Sequence, residues 1–194
     1  MAAGRVLTGF SNVHVALYAN SGTTVSYSDG MKLARGVNVT VSPDDSGDDN
    51  NFYADNELAE SISGKFVGGT LTLTVDGLLD AARKLIYGLP TASSGGWVAY
   101  DDDQSIPYCG VGFIARYMSD GVESFVPYII NKVRFNQDTT EAATQQEEVD
   151  WQTQELTATI LRADDAKHTW KEIGTAVATE AAALTALKAK LSIA

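Results

Sequence analysis

A single cysteine, Cys109, stands among 194 residues, which excludes an intramolecular disulfide and any multi-cysteine zinc site. Its expected state is a quiet, partly buried thiol. Histidine is nearly as scarce. His14 falls inside a strand pattern and His168 in a charged connector, and the chain contains no His-x-x-x-His pair, no Gly-x-Ser-x-Gly elbow and no phosphate-binding loop. No run approaches the roughly eighteen apolar residues of a membrane span. The opening residues Met1-Ala2-Ala3-Gly4-Arg5 lack the basic and apolar regions of a signal peptide, so synthesis and folding in a cytoplasm are expected. Basic residues are few as well: 14 Lys and Arg against 25 Asp and Glu give a formal charge of −11. Nucleic-acid affinity comes largely from cations displacing counterions, so this composition argues against a phosphate-gripping surface.

What is present is the composition of a folded domain. Hydrophobic residues make up 44% and charged residues 20%, which excludes wholesale disorder, and 17 glycines lean the chain toward β structure with many turns. The length suits one core. Period-two patterning marks Val13, Val15 and Leu17, then residues 23–27, then Val37, Val39 and Val41, punctuated by Gly22 and Asp29-Gly30. Residues 42–51 are turn-rich and acidic and are expected to form an exposed loop. Further strands are predicted over residues 52–67, with interruptions, and 70–75, where Leu71, Leu73 and Val75 alternate with threonines. The period then changes: Leu78, Ala82, Leu85 and Ile86 share a helical stripe, with Asp76 available as N-cap, Gly88 as stop and Pro90 beyond.

Two long strands follow a polar loop, residues 108–118 and 123–135, joined by Ser119-Asp120-Gly121, a strong hairpin signal. Pro127 cannot donate to a ladder and is expected at an edge or a bulge. After a second acidic loop over 138–150, a last strand alternates Leu156, Ala158 and Ile160 with Thr157 and Thr159. Val177, Ala181, Leu184, Leu187 and Leu191 predict an amphipathic C-terminal helix within 175–191 that needs a surface to lie on.

No catalytic, cofactor or metal site survives a spacing test. Gly110-Val111-Gly112 opens a dinucleotide-like pattern, but Ala115 occupies the third glycine position and a strand follows instead of a helix. Asp44, Ser46, Asp48 and Asn50 alternate like calcium ligands, yet Asp49 replaces the turn glycine and Asp55 the bidentate Glu. Both this run and Asp101, Asp102 and Asp103 read as solvated loop.

Several segments together resemble the major tail protein family of siphophages, the tail-tube subunits. They are Gly9-Phe10-Ser11-Asn12-Val13, Phe52-Tyr53-Ala54-Asp55-Asn56, and Gly69-Thr70-Leu71-Thr72-Leu73-Thr74-Val75-Asp76-Gly77-Leu78-Leu79 ending at Tyr87-Gly88. The pattern continues through Asn131-Lys132-Val133-Arg134-Phe135 and Leu156-Thr157-Ala158-Thr159-Ile160, so the resemblance covers residues 8–173. It implies a mainly β fold, a two-sheet antiparallel β-sandwich or barrel over 1–173 with one flanking helix, followed by a helical extension over 174–194. It further implies a non-enzymatic virion protein, made in the host cytoplasm, whose hexameric rings stack into a tail tube. Its partners would be copies of itself, the tape measure protein and the terminator and tip proteins; DNA passes the lumen unbound, and no membrane or cofactor is involved. The expected inter-ring contact is the acidic loop, with Ser42, Pro43, Asp44, Asp45, Asp48, Asp49 and Asn50. A competing reading is a carbohydrate- or receptor-binding β-sandwich module of a tail tip, with Trp97, Tyr100 and Tyr108 as an aromatic platform.

Overall fold

The computed structural model describes residues 4–45, 50–54, 57–62, 65–90, 95–144 and 151–193, the backbone alone for 50–54 and 57–62. Ten strands and two helices are found among them: β1 Val6–Ser21, β2 Thr24–Ala34, β3 Gly36–Asp45, β4 Asn50–Ala54, β5 Glu57–Ile62, β6 Phe66–Val75, α1 Asp80–Tyr87, β7 Cys109–Ser119, β8 Val122–Phe135, β9 Gln154–Ile160, β10 Lys171–Ile173 and α2 Glu180–Lys190. The chain is mainly β, as its patterning predicts, and its architecture is consistent with the sandwich that the resemblance implies. One antiparallel sheet runs β2-β1-β7-β8-β9-β6-β3, with β10 beside β8 and β4–β5 as a separate hairpin.

The sheet turns back on itself at β8. Tyr128, Ile129 and Ile130 pair with β10, whereas Val133, Arg134 and Phe135 pair with β9. Two layers result, and alternation fills the space between them. Val13, Val15, Leu33, Val111 and Phe113 on one layer meet Leu71, Leu73, Leu156, Ala158 and Ile160 on the other. Cys109 lies fully buried in this core, where loss of hydration pushes its thiol up to about 12. Asp120 and Gly121, both at positive φ (50° and 78°), make the tight β7–β8 turn. Pro127 sits in a gap of the ladder: pairing with β10 ends at Tyr128–Ile173 and resumes one residue out of step at the Phe125–Val177 bridge. Its missing N–H therefore breaks no regular pairing, in keeping with the bulge position rather than the edge.

Helix α1 ends as expected on Gly88 in the left-handed region, with its N–H on Leu85 O and the Leu89 N–H on Lys84 O. Its start differs from the sequence expectation. Leu79, not Asp76, is the N-cap residue and gives no side-chain cap. Asp76 instead accepts from the backbone N–H (3.1 Å) and guanidinium of Arg35, tying the β2–β3 corner to the end of β6. The Arg35 guanidinium holds the Asp76 carboxyl below the usual carboxylate range.

Helix α2 begins at Glu180, five residues after the start of the predicted segment, because the chain first forms the Val177 bridge to Phe125 and then caps on Thr179 Oγ1. The buried stripe is Ala183, Leu187 and Leu191, with Leu184 and Val177 half-buried and Ala181 exposed. It lies on the outer face of β7 and β8, over Ala16, Ile114 and Ile129. The terminal segment thus packs within its own subunit and completes a second core rather than projecting to a neighbour.

The Gly110-Val111-Gly112 pattern belongs to this contact. A Cβ at Gly112 would stand 2.5 Å from Leu187 Cδ1 and 3.1 Å from Leu191 Cδ1, and one at Gly110 would strike the Tyr27 ring. The two glycines share the outer face, and their lack of side chains lets the helix settle on the strand. Gly112→Val is expected to cost about 1–3 kcal/mol through forced repacking, measurable as a lower urea midpoint. An unchanged midpoint would contradict the close approach.

His14 is buried on the same face, its Nδ1 2.8 Å from Asn12 O, with Lys188 of α2 and Lys32 of β2 as charged neighbours. Burial depresses its pKa. Below about pH 6.5, the ordinary imidazole value, the unfolded chain binds a proton that the folded chain refuses, so stability falls with acidification until the folded pKa is passed. His14→Gln is expected to flatten that stretch of the pH–stability curve. Equal acid sensitivity in both proteins would refute this.

Candidate assembly interface

The predicted contact loop is largely strand. Ser42, Pro43, Asp44 and Asp45 continue β3 and pair with Thr70, Gly69, Gly68 and Phe66 of β6, while Asn50 opens β4 opposite Ile62. The expected loop over 42–51 is corrected to that extent; Asp48 and Asp49 lie outside the described residues. The cause is local. Gly68 and Gly69 put no side chains beside the acidic strand, and a Cβ at Gly69 would stand 2.6 Å from Ser42 O. The backbone of the acidic run therefore finds a partner although all four side chains stay exposed. Order in Ser42–Asp45 comes from pairing with β6 of the same chain.

Among the described residues the strand order ends in two long edges, β2 and β3, besides the three-residue β10, and the two differ. On β2 the register with β1 shifts between Val15 and Leu17, opposite Asp29 and Gly30, with Asp29 at φ 52°. Such a bulge blunts an edge. On β3 the pairing with β6 is regular from Asn38 to Asp44, and the strand's other side has no strand partner among the described residues. Pro43, Asp44 and Asp45 lie at its far end, where a missing N–H and two carboxylates discourage pairing. The stretch from Asn38 to Ser42 is the regular, bare part of that edge.

The outer face beside this edge is made of short polar side chains in register. Asn38, Thr74 and Glu155 form one row across β3, β6 and β9; Thr40, Thr72 and Thr157 form the next; Ser42, Thr70 and Thr159 the third, flanked by Arg134 of β8. The hydroxyls of these rows bond to no other group among the described residues.

The expected aromatic platform does not come together as three free rings. The Tyr100 hydroxyl donates to Asp138 at 3.0 Å and the Tyr108 ring carries Lys132 Nζ at 4.6 Å, so these two exposed rings make contacts of their own while Trp97 is exposed at 80%. Asp138 also accepts from Gln154 Nε2 at 3.2 Å and pairs with Arg83 Nη1 at 3.4 Å. This knot joins α1 to the loops before β7 and β9 and borders a cleft of about 450 Å³ walled mainly by Thr, Gln, Asn and acidic side chains. Asp101 accepts from the Asp103 N–H, an ordinary loop contact. Among the described residues no group of three His, Cys, Asp or Glu side chains is placed to hold a metal ion, and no helix is long and apolar enough to cross a membrane.

Sequence reasoning missed the part of Asn131 and Lys132. Asn131, buried in β8, donates from Nδ2 to Thr169 O (3.0 Å) and Glu172 Oε1 (3.1 Å) and accepts from the Tyr27 hydroxyl on its carbonyl (3.0 Å). Lys132 Nζ pairs with Asp164 at 2.7 Å. Both clasp the connector between β9 and β10; two polar residues inside an apolar strand were the available signal. His168 Nδ1 lies 3.1 Å from Ala163 O in that connector. No protein-family model matches the chain, and no curated protein matches it in sequence.

Proposed function

We propose that this chain is a structural virion protein, the major tail subunit whose hexameric rings stack into the tube through which phage DNA passes. Its partners in this reading are copies of itself, the tape measure protein and the terminator and tip proteins, and it carries no catalytic function. The reading rests on the tail-tube resemblance of residues 8–173 and on one observation above all: the sheet ends in a regular β3 edge without a partner, on a body whose opposite edge is bulged. A bare edge of this kind accepts a strand from a second copy, and unlike edges joined head to tail close into a ring when the rotation allows.

The acidic side chains at the far end of β3 remain exposed and suit a polar contact with the next ring. Purified protein is expected to form rings or tubes in negative-stain electron microscopy, at high protein concentration or with tube fragments as seeds. A strictly monomeric protein under all such conditions would refute the reading.

A further inference from the structure

Of the two sheet faces turned away from the main core, one is sealed by α2 through Leu187 and Leu191. The other, across β3, β6 and β9, carries the rows Thr40–Thr72–Thr157 and Ser42–Thr70–Thr159. Strand geometry sets these hydroxyls about 4.8 Å apart across strands and about 6.8 Å apart along them. We infer that this hydroxyl lattice is the wall of the channel, facing water and the passing polyanion, with α2 on the opposite, outer side. The inference rests on the tube reading and names the face that reading leaves open.

Three observations carry it. None of the exposed large apolar side chains falls within these rows, although Val37 and Val67 stand exposed at the register shifts just beyond them, so the rows lack the aromatic, Met or aliphatic anchors of a protein contact. The charges of the rows and their flank are one carboxylate, Glu155, and one guanidinium, Arg134, at opposite ends of the β9 side, and Asp44 adds a carboxylate where β3 runs on beyond Ser42. Phosphate retention requires cations whose counterions are released, and one Arg per subunit supplies no continuous track. Threonine and serine hydroxyls hold a water layer instead, and a hydrated neutral wall lets a polyanion slide past without contacts to break. Finally, the face adjoins the bare β3 edge, through which the tube reading joins one copy to the next, so it lies beside the proposed joint and not on the layer that α2 covers.

The buried Cys109 thiol makes the test clean, because it is shielded and its pKa is raised to about 12. Thr40→Cys and Thr159→Cys place a single reactive thiol on the lattice, and Ala186→Cys places one on the exposed side of α2. Each variant is reacted, free and as tubes, with N-ethylmaleimide and with a maleimide on a 20-kDa polyethylene glycol. In tubes, the lattice thiols are expected to react with the small reagent, while the large one is slowed at least about tenfold relative to the free subunit, as an access-limited thiol would be. Lattice thiols in tubes that react equally with both reagents would put the face outside, and thiols that react with neither would put it between subunits; each result overturns the assignment and leaves the tube standing. A parent protein that forms no tubes overturns the tube reading and the assignment with it.

Discussion

Truncation after Ile173 is expected to unfold or aggregate the free subunit, not merely to loosen an assembly. Leu187, Leu191 and Ala183 are fully buried, and their removal strips Ile114, Ile129 and Ala16 of most of their cover, leaving Tyr27 and Phe125 as the apolar neighbours in that cluster. Truncating one buried Leu to Ala costs about 2–5 kcal/mol, and a domain has only about 5–15 kcal/mol in hand. Losing both leucines together with the Val177 bridge therefore consumes most of the margin. Leu187→Ala and Leu191→Ala give the graded version: each should lower the urea midpoint, with assembled and free protein losing similar stability because the contact lies inside one subunit. A truncated chain that melts like the parent would show that α2 is an ornament.

The second large effect concerns the β3 edge. Backbone N–H groups along an antiparallel strand point alternately to the two sides, so of Thr40→Pro and Val41→Pro one strikes the ladder with β6 and the other only the bare edge. One variant is expected to melt early, having left a β6 carbonyl unpaired at about 1–3 kcal/mol. The other should melt close to the parent and yet form no tubes. Proline at Thr72 or Thr159 is a different experiment. These residues sit on β6 and β9, which have neighbours on both sides, and substitution there is expected to break the subunit itself. If both β3 variants fold and assemble normally, the β3 edge is not the joint, and the proposed closure of the ring fails with it.

Alternation alone was enough to locate the strands that bury one face, since a residue such as Leu71, Leu73 or Val75 declares its side by its chemistry. The β7–β8 hairpin and the end of α1 were equally legible, because Asp120-Gly121 and Gly88 meet backbone conformations that few other residues adopt. The acidic segment misled for a physical reason. Polar side chains make a strand invisible to periodicity, but its backbone pairs whenever a neighbour leaves room, and Gly68 and Gly69 on β6 leave that room. Asp76 misled likewise: a carboxylate before a helix suits a cap, but the Arg35 amide and guanidinium, distant in sequence, offer it more.

The sequence by itself determined the β class, the hairpin, the internal helix and the existence of an amphipathic C-terminal segment, all properties of local pattern. Only the tertiary structure decided which strands end the sheet, where α2 lies, why two glycines alternate on β7, and that seven hydroxyls on β3, β6 and β9 share one face. Those facts depend on register between strands far apart in the chain, and a period of two says which residues share a side of one strand but not which strand lies beside it.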